Sequence, residues 1–344
     1  TIYAFIGIDG SDRYYDLTTG LAFDDNAGGT GYEYKWANCY IIKSELSAYD
    51  VDTPYTGFCF DATVVGNGED GQMSIGAQSL YPANVHISPS TADLVWESSP
   101  GLVSQIELVF GYVRFKVAKK DESNYREGNA VIAVYDQNGK VMWSWHIWIT
   151  DTPQNFSYTE GTTTITILDR NLGATAAQWT SDQDALETYG LYYQWGRKDP
   201  SMGPPTWNYS PINMITAPYY DYSSERKDAA EVVRFATPTL KDAVENPMYL
   251  IMPTAQTQSY YFNWLYEKID FLWGYNKDEG TNVDKTIYDP CPYGYKVSGG
   301  ELTDLFSFSG KTITYEDYGQ IVTLTEDDTK KIYFPYTGYK GVDK

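Results

Sequence analysis

Asp136-Gln137-Asn138-Gly139, followed by Lys140 and then Val141-Met142-Trp143-Ser144-Trp145-His146-Ile147-Trp148-Ile149-Thr150, is the stretch that decides the fold. Asn-Gly supplies the positive φ angles that a tight reversal needs, so a hairpin is expected at 136–139. Beyond the turn, Val141, Trp143, Trp145, Ile147 and Ile149 fall on one face of an extended strand. Met142, Ser144, His146, Trp148 and Thr150 fall on the other. Bulk on both faces predicts a central strand between an apolar core and a second covered surface. Thr152-Pro153 ends it.

Working outward, 130–135 reads as the preceding strand, and 106–117, broken by Gly111, as two more. Short antiparallel strands at this spacing predict an immunoglobulin-like β-sandwich over residues 36–153. Residues 1–35 read as an N-terminal segment, with a β-prone apolar run at 2–8 and turn-rich stretches at 9–12 and 24–31. Residues 154–344 differ in texture. A strand is expected at 162–168, a short helix starting within 185–193, an amphipathic helix over 257–269 and another short one at 302–306. Hairpin strands are expected at 312–325 and 331–336, so this second module reads as α+β with long loops. A length of 344 residues fits two domains. With 42% hydrophobic and 21% charged residues, the composition is globular and not disordered. Tyr outnumbers Phe 33 to 13, which suits half-buried strands whose rings pack while their hydroxyls meet water.

The formal charge of −21 argues against a nucleic-acid partner, which requires clustered Lys and Arg to displace phosphate counterions. No run approaches the roughly 20 apolar residues of a membrane helix. The chain begins at Thr1 with no basic-then-apolar leader and is expected to start inside a longer precursor. Its three cysteines, Cys39, Cys59 and Cys291, have no CxxC or Cys/His zinc spacing. They read as buried small hydrophobes, with a Cys39–Cys59 pair open as the alternative.

Gly66-Asn67-Gly68-Glu69-Asp70-Gly71 matches the dinucleotide pattern GxGxxG, but Glu69 and Asp70 would repel a pyrophosphate and no helix follows. It reads as a surface turn. The only histidines are His86 and His146, too few for a multi-histidine metal site, and His146 on its Trp-rich strand reads as a hydrogen-bonded packing residue. Among 46 carboxylates nothing singles out a catalytic pair. Turns at 9–12, 24–26 and 326–328 could offer oxygen ligands to calcium, without EF-hand spacing; no other cofactor or metal is expected. The candidate ligand-binding patch is Tyr192, Tyr193, Trp195 and Arg197. Aromatic rings stack on sugar faces and an adjacent guanidinium can donate to hydroxyls. Against this stands the reading in which the block fills a core and Arg197 pairs with Asp199.

Several blocks carry a resemblance. Trp36-Ala37-Asn38-Cys39-Tyr40-Ile41-Ile42, 128–133 and 143–151 resemble strands of a sandwich domain of Bacteroidetes surface proteins. Leu168-Asp169-Arg170-Asn171-Leu172-Gly173-Ala174, then Gly190-Leu191-Tyr192-Tyr193-Gln194-Trp195-Gly196-Arg197-Lys198-Asp199-Pro200, then Ile287-Tyr288-Asp289-Pro290-Cys291-Pro292-Tyr293-Gly294-Tyr295-Lys296-Val297 occur in order. They resemble the Fibrobacter-succinogenes-major-paralogous domain, which is appended to fimbrillin-like or tip-adhesin-like proteins. The resemblance implies a C-type-lectin-like second module and a non-catalytic role in adhesion or pilus architecture at the outer surface. Its partners would be other pilus subunits or a surface ligand, including a glycan; a glycan-binding module of a polysaccharide-capture system is the rival. The pattern departs at Val297-Ser298-Gly299-Gly300, and the sequence stops at Lys344 before the family's closing strands, so the expectation is either that a tail is missing from this sequence or that another strand completes the module.

Overall fold

In the computed structural model, the described residues are 13–22, 34–49, 55–68, 74–75, 78–160, 162–178, 185–201, 218–228, 230–254, 264–266, 269, 271–276, 281–282, 285–298, 310–316, 319–324, 327 and 329–337. The fold is mainly β. Two sheets face each other across one apolar core. The five-stranded sheet runs in the order Leu21–Ala22, Tyr14–Asp16, Gly57–Asp61, Tyr112–Val117, Val103–Val109. The six-stranded sheet runs Arg226–Lys227, Tyr219–Asp221, Thr91–Glu97, Gly128–Tyr135, Val141–Thr150, Cys39–Lys43. Phe58, Phe60, Val113 and Phe115 from the first meet Tyr40, Ile42, Ile132, Trp143, Trp145, Ile147 and Ile149 from the second.

The Val141–Thr150 strand is buried on both faces, from Trp143 to Thr150. Its pairing with Gly128–Tyr135 is the expected hairpin, but the turn differs from the expected one. Gly139 has φ +76°, whereas Asn138 is not among the residues with positive φ. Asp136 instead organises the loop: its carboxylate accepts from the amides of Asn138 and Lys140 at 2.8 and 2.9 Å. The register slips between Val134 and Tyr135, giving a bulge that one glycine satisfies. The two-residue reversal with both central φ positive falls at Phe110 (φ 50°) and Gly111 (φ 87°).

Not every pairing is antiparallel. Cys39–Lys43 runs parallel to Val141–Thr150, and Tyr14–Asp16 parallel to Gly57–Asp61. The parallel register places Cys39 opposite His146, on the outer face of the six-stranded sheet, while Tyr40 and Ile42 enter the core. Cys59 lies opposite Arg114, on the outer face of the other sheet, between the core residues Phe58 and Phe60. With sheets packing about 10 Å apart, outward thiols on opposite sheets cannot meet. The Cys39–Cys59 pair is therefore ruled out, and this structure shows all three cysteines buried in the thiol form.

The core draws on both sides of residue 153. Tyr220 and Asp221 pair with Glu97 and Trp96, extending the six-stranded sheet. Leu240, Ala243 and Val244 of the Leu240–Glu245 helix, with Ile251, Leu272, Ile287 and Tyr288, belong to the same apolar cluster as the sandwich residues. A separate small core joins the Asn155–Glu160/Thr163–Leu168 hairpin to the three strands Lys311–Glu316, Gly319–Leu324 and Lys331–Pro335 through Phe156, Tyr158, Val322, Leu324 and Ile332. The short helix is Ala185–Tyr189. Residues 264–266 are not helical, and the rest of the 257–269 expectation, except residue 269, lies outside the described residues or in non-helical chain. The segments at 1–8 and 302–306 lie outside the described residues, as do all but Asp327 of the proposed calcium turns. No described helix is long and apolar enough to cross a membrane.

Trp145 is the test of the inner face. Its ring packs on Phe60 at 5.0 Å between centroids, and its indole nitrogen has no partner among the described residues. Chemical denaturation of Trp145→Ala should show a loss of about 3–5 kcal/mol, whereas Trp145→Phe, which removes an unpaired donor, should cost clearly less.

Candidate functional site

The outer face of the Val141–Thr150 strand is where polar side chains collect. Strand alternation turns Ser144, His146, Trp148 and Thr150 away from the core, and each is buried. A buried polar group without a partner costs on the order of 1–3 kcal/mol, so what covers this face must also satisfy it. The first two motif blocks of the second segment do so in turn, and the third fastens to Asn38 and Asn67 alongside.

The first block caps the strand's end. Asn129 donates from Nδ2 to the Gly173 carbonyl at 2.9 Å, and the Trp148 indole donates to the Ala174 carbonyl at 3.0 Å. Arg170 grips Asp169 with Nε and Nη2, and its Nη1 reaches Thr150 Oγ1 at 3.0 Å and the Asp151 carboxylate. Its side chain and most of Asp169 are buried, so that charge-assisted pair is little screened, whereas Asp151 is half exposed and its bond is screened by solvent.

The second block supplies the middle. Tyr193 places its hydroxyl 3.4 Å from His146 Nδ1, while His146 Nε2 lies 2.9 Å from Asn129 Oδ1. Because Asn129 uses its amide nitrogen on Gly173, its oxygen can only accept. His146 thus carries its proton on Nε2 and accepts from Tyr193 at Nδ1. Burial pushes the imidazole pKa down to about 3, so it is neutral. Next to it, Lys198 Nζ donates to Ser144 Oγ and to Asp199 Oδ1, both at 2.6 Å, and to the Ser144 carbonyl at 3.0 Å. Ser144 Oγ in turn donates to Asp199 Oδ1 at 2.6 Å. The ammonium also sits 4.5 Å above the Trp143 ring. Burial lowers the Lys198 pKa to about 8, opposed by the Asp199 carboxylate.

By residue type, Ser144, Lys198 and Asp199 are a nucleophile, a base and an orienting acid. At 1%, 2% and 6% exposure they offer a substrate no approach, and the arrangement works as a knot between the segments. The four residues singled out from the sequence do not converge on one surface. Tyr193 turns to His146, and Tyr192 donates to the Thr337 carbonyl at 2.8 Å. Arg197 turns inward rather than toward a ligand. Its Nη1 donates to Gln194 Oε1 and the Tyr249 carbonyl, and its Nη2 to the Ala243 and Asn246 carbonyls. Those last two carbonyls belong to the end of the Leu240–Glu245 helix, so the guanidinium serves as its C-terminal cap. Asp199 lies 3.9 Å away, a looser contact than the Lys198 pair. Trp195 alone stays substantially exposed, at 44%. Its ring meets Trp273 edge-on at 4.7 Å, and its carbonyl accepts from the Trp264 indole at 2.6 Å.

The third block closes the far side. Asn38 Nδ2 donates to the carbonyls of Ile287 and Asp289 at 2.6 and 2.7 Å, while its oxygen accepts from the Trp143 indole at 3.0 Å. Asn67 donates to the Thr286 carbonyl and more weakly to Asp289. Just before the block, Lys285 Nζ donates to the carbonyls of Cys291, Pro292 and Tyr295 at 2.6–2.9 Å. Asp289 accepts from the amides of Cys291 and Val297, both at 2.8 Å. Gly66-Asn67-Gly68, expected as part of a surface turn, is instead buried and holds protein carbonyls, because Asn67 is covered by the segment it binds; Gly66 and Gly68 have φ of +44° and +71°.

Sequence reasoning passed over Lys198, Asn38, Asn67 and Lys285 as working residues. The available signal was a Lys-Asp pair set inside an aromatic block, a place where charge is costly unless paired. Among the described residues, no group of three His, Cys, Asp or Glu side chains could hold a metal ion. Neither a family model, a curated protein nor a solved structure matches this chain.

The neutral His146 gives a pH prediction. Unfolded, the imidazole takes up a proton near its ordinary value of 6.5; folded, it does so only near 3. The stability it contributes is complete above 6.5 and is lost progressively as pH falls toward 3. Between pH 6 and 4 this one proton should steepen the decline by about 1.4 kcal/mol per pH unit. Urea titrations across that range should show a flatter decline for His146→Gln, which keeps a donor for Asn129.

Proposed function

We propose that this chain is a non-catalytic adhesion protein of the bacterial outer surface, a fimbrial subunit or tip component. In this reading residues 36–153 form an immunoglobulin-like sandwich, and 154–344 form a C-type-lectin-like module of the Fibrobacter-succinogenes-major-paralogous type. The observation that carries the reading is the use made of the three blocks behind that resemblance. Leu168 to Ala174, Gly190 to Pro200 and Ile287 to Val297 are the segments whose side chains or carbonyls fasten the second segment to the sheet. Residues spent in this way are scaffold residues, as expected of a module that displays loops rather than performs chemistry. The charge of −21 keeps such a protein soluble and disfavours nucleic acid and anionic lipid as partners.

A second reading, glycan capture, is favoured by Trp195. An exposed indole held by a neighbouring ring and by a bond to its own carbonyl is preordered, and stacking on a sugar face then costs little side-chain entropy.

Beads coated with the purified chain should adhere to glycan-bearing cell surfaces above an albumin-coated control; equal retention would remove the adhesion reading. On a glycan array, Trp195→Ala should weaken any bound sugar by about tenfold, the equivalent of roughly 1.4 kcal/mol. Binding by the parent that survives the substitution unchanged would place the sugar site elsewhere.

A further inference from the structure

Cys39 and Cys291 come from opposite segments, and both lie buried, as thiols in this structure, beside the junction between them. Cys39 lies on the sheet's outer face opposite His146, the histidine that Tyr193 touches. Its neighbour Asn38 holds the Asp289 carbonyl at 2.7 Å, two residues before Cys291. Lys285 donates to the Cys291 carbonyl at 2.8 Å and also acts electrostatically on Cys39. The Tyr193 hydroxyl lies within electrostatic reach of both thiols, and the two thiols lie within such reach of each other. Cys59 has no share in this, since it faces outward from the other sheet.

We propose that Cys39 and Cys291 are a disulfide pair, closed while the chain folds, that ties the second segment covalently to the outer face of the six-stranded sheet. The oxidant is a small disulfide of the glutathione class. One molecule of it takes the two thiols to one Cys39–Cys291 bond and leaves two reduced thiols. Two S–H bonds and the oxidant's S–S bond break, one protein S–S bond forms, and both protons pass to the departing thiolates. Timing follows from burial. In the folded chain both thiols are enclosed and held protonated by desolvation, which makes them poor nucleophiles. The bond must therefore form before the junction seals, in a compartment that supplies oxidant. Once sealed, the same enclosure keeps reductants out.

The test is refolding of the full chain from urea in a buffer of reduced and oxidised glutathione, followed by denaturing alkylation. The number of alkylated thiols should fall from three to one, and that one should be Cys59. Digestion without reduction should yield a linked peptide containing Cys39 and Cys291. Cys59→Ser should keep the linkage, and Cys291→Ser should abolish it. The oxidised protein should unfold at a urea midpoint higher by about 1 M, because the bond closes a very long loop. Adding oxidised glutathione to already folded, reduced protein should form the bond at least tenfold more slowly than refolding does. Three alkylatable thiols in refolded protein, or a linked peptide containing Cys59, would overturn the proposal. Should refolding in vitro fail, protein secreted into an oxidising bacterial periplasm should likewise keep Cys59 as its single alkylatable thiol, and three would again overturn the proposal.

Discussion

The structure depends on one constraint: a ten-residue strand with large side chains on both faces must be covered twice. The inner cover is ordinary, because Trp143, Trp145, Ile147 and Ile149 ask only for apolar neighbours and find them in Phe58, Phe60 and Phe115. The outer cover is harder. Ser144, His146 and Thr150 bring hydrogen-bonding groups that cannot be left dry and unpaired. Tyr193, Lys198, Asp199 and Arg170 meet that demand, and they all lie within two short blocks of sequence. The second segment is thus the missing half of the sheet's solvation.

Buried ionic groups are a weak source of net stability, because desolvation offsets most of their attraction. Here the Lys198–Asp199–Ser144 group makes more sense as a device for register. An apolar cover could slide along the sheet by a residue or two. A lysine that must find one serine oxygen, one carboxylate and one indole face cannot. Asn38 works in the same way. A single side chain satisfies two carbonyls of the Ile287–Asp289 turn and one indole, so it indexes the third block against the first segment.

Much of this is legible in the sequence where periodicity speaks. The strand at 141–150, its two faces, the partner strand before the turn and the three late strands all follow from alternation and turn residues. Features set by partners far away in sequence leave no such mark. Even nearby, the turn at 136–140 departs from the Asn138 reversal that its sequence suggests, because Asp136 captures the amides and leaves only Gly139 left-handed. The parallel pairing of Cys39–Lys43 has no local signature, and it alone decides which way Cys39 points. Arg197 resembles a surface donor because its neighbours are aromatic; its role is fixed by the end of a helix more than forty residues later. Lys198 and Asp199 are visible as charges, but no pattern in one chain says that a serine 54 and 55 residues earlier will bond to them both.

The Asn38 clasp also bears on how the molecule comes into being. It joins groups 249 positions apart, so it cannot form until most of the chain has been made. Until residue 199 has been made, the Trp148 side of the central strand has its own side chains but not its cover, and an uncovered aromatic sheet face is a surface on which chains associate with one another. Cys39–Lys43 can dock onto Val141–Thr150 well before that, since both precede residue 151. Synthesis therefore leaves a half-solvated intermediate while residues 151–199 are produced, and the Asn38 clasp closes only once residues 287–289 follow. A protein built in this way gains from fast elongation or from a holding chaperone during synthesis, and its yield depends on whichever of these the cell provides.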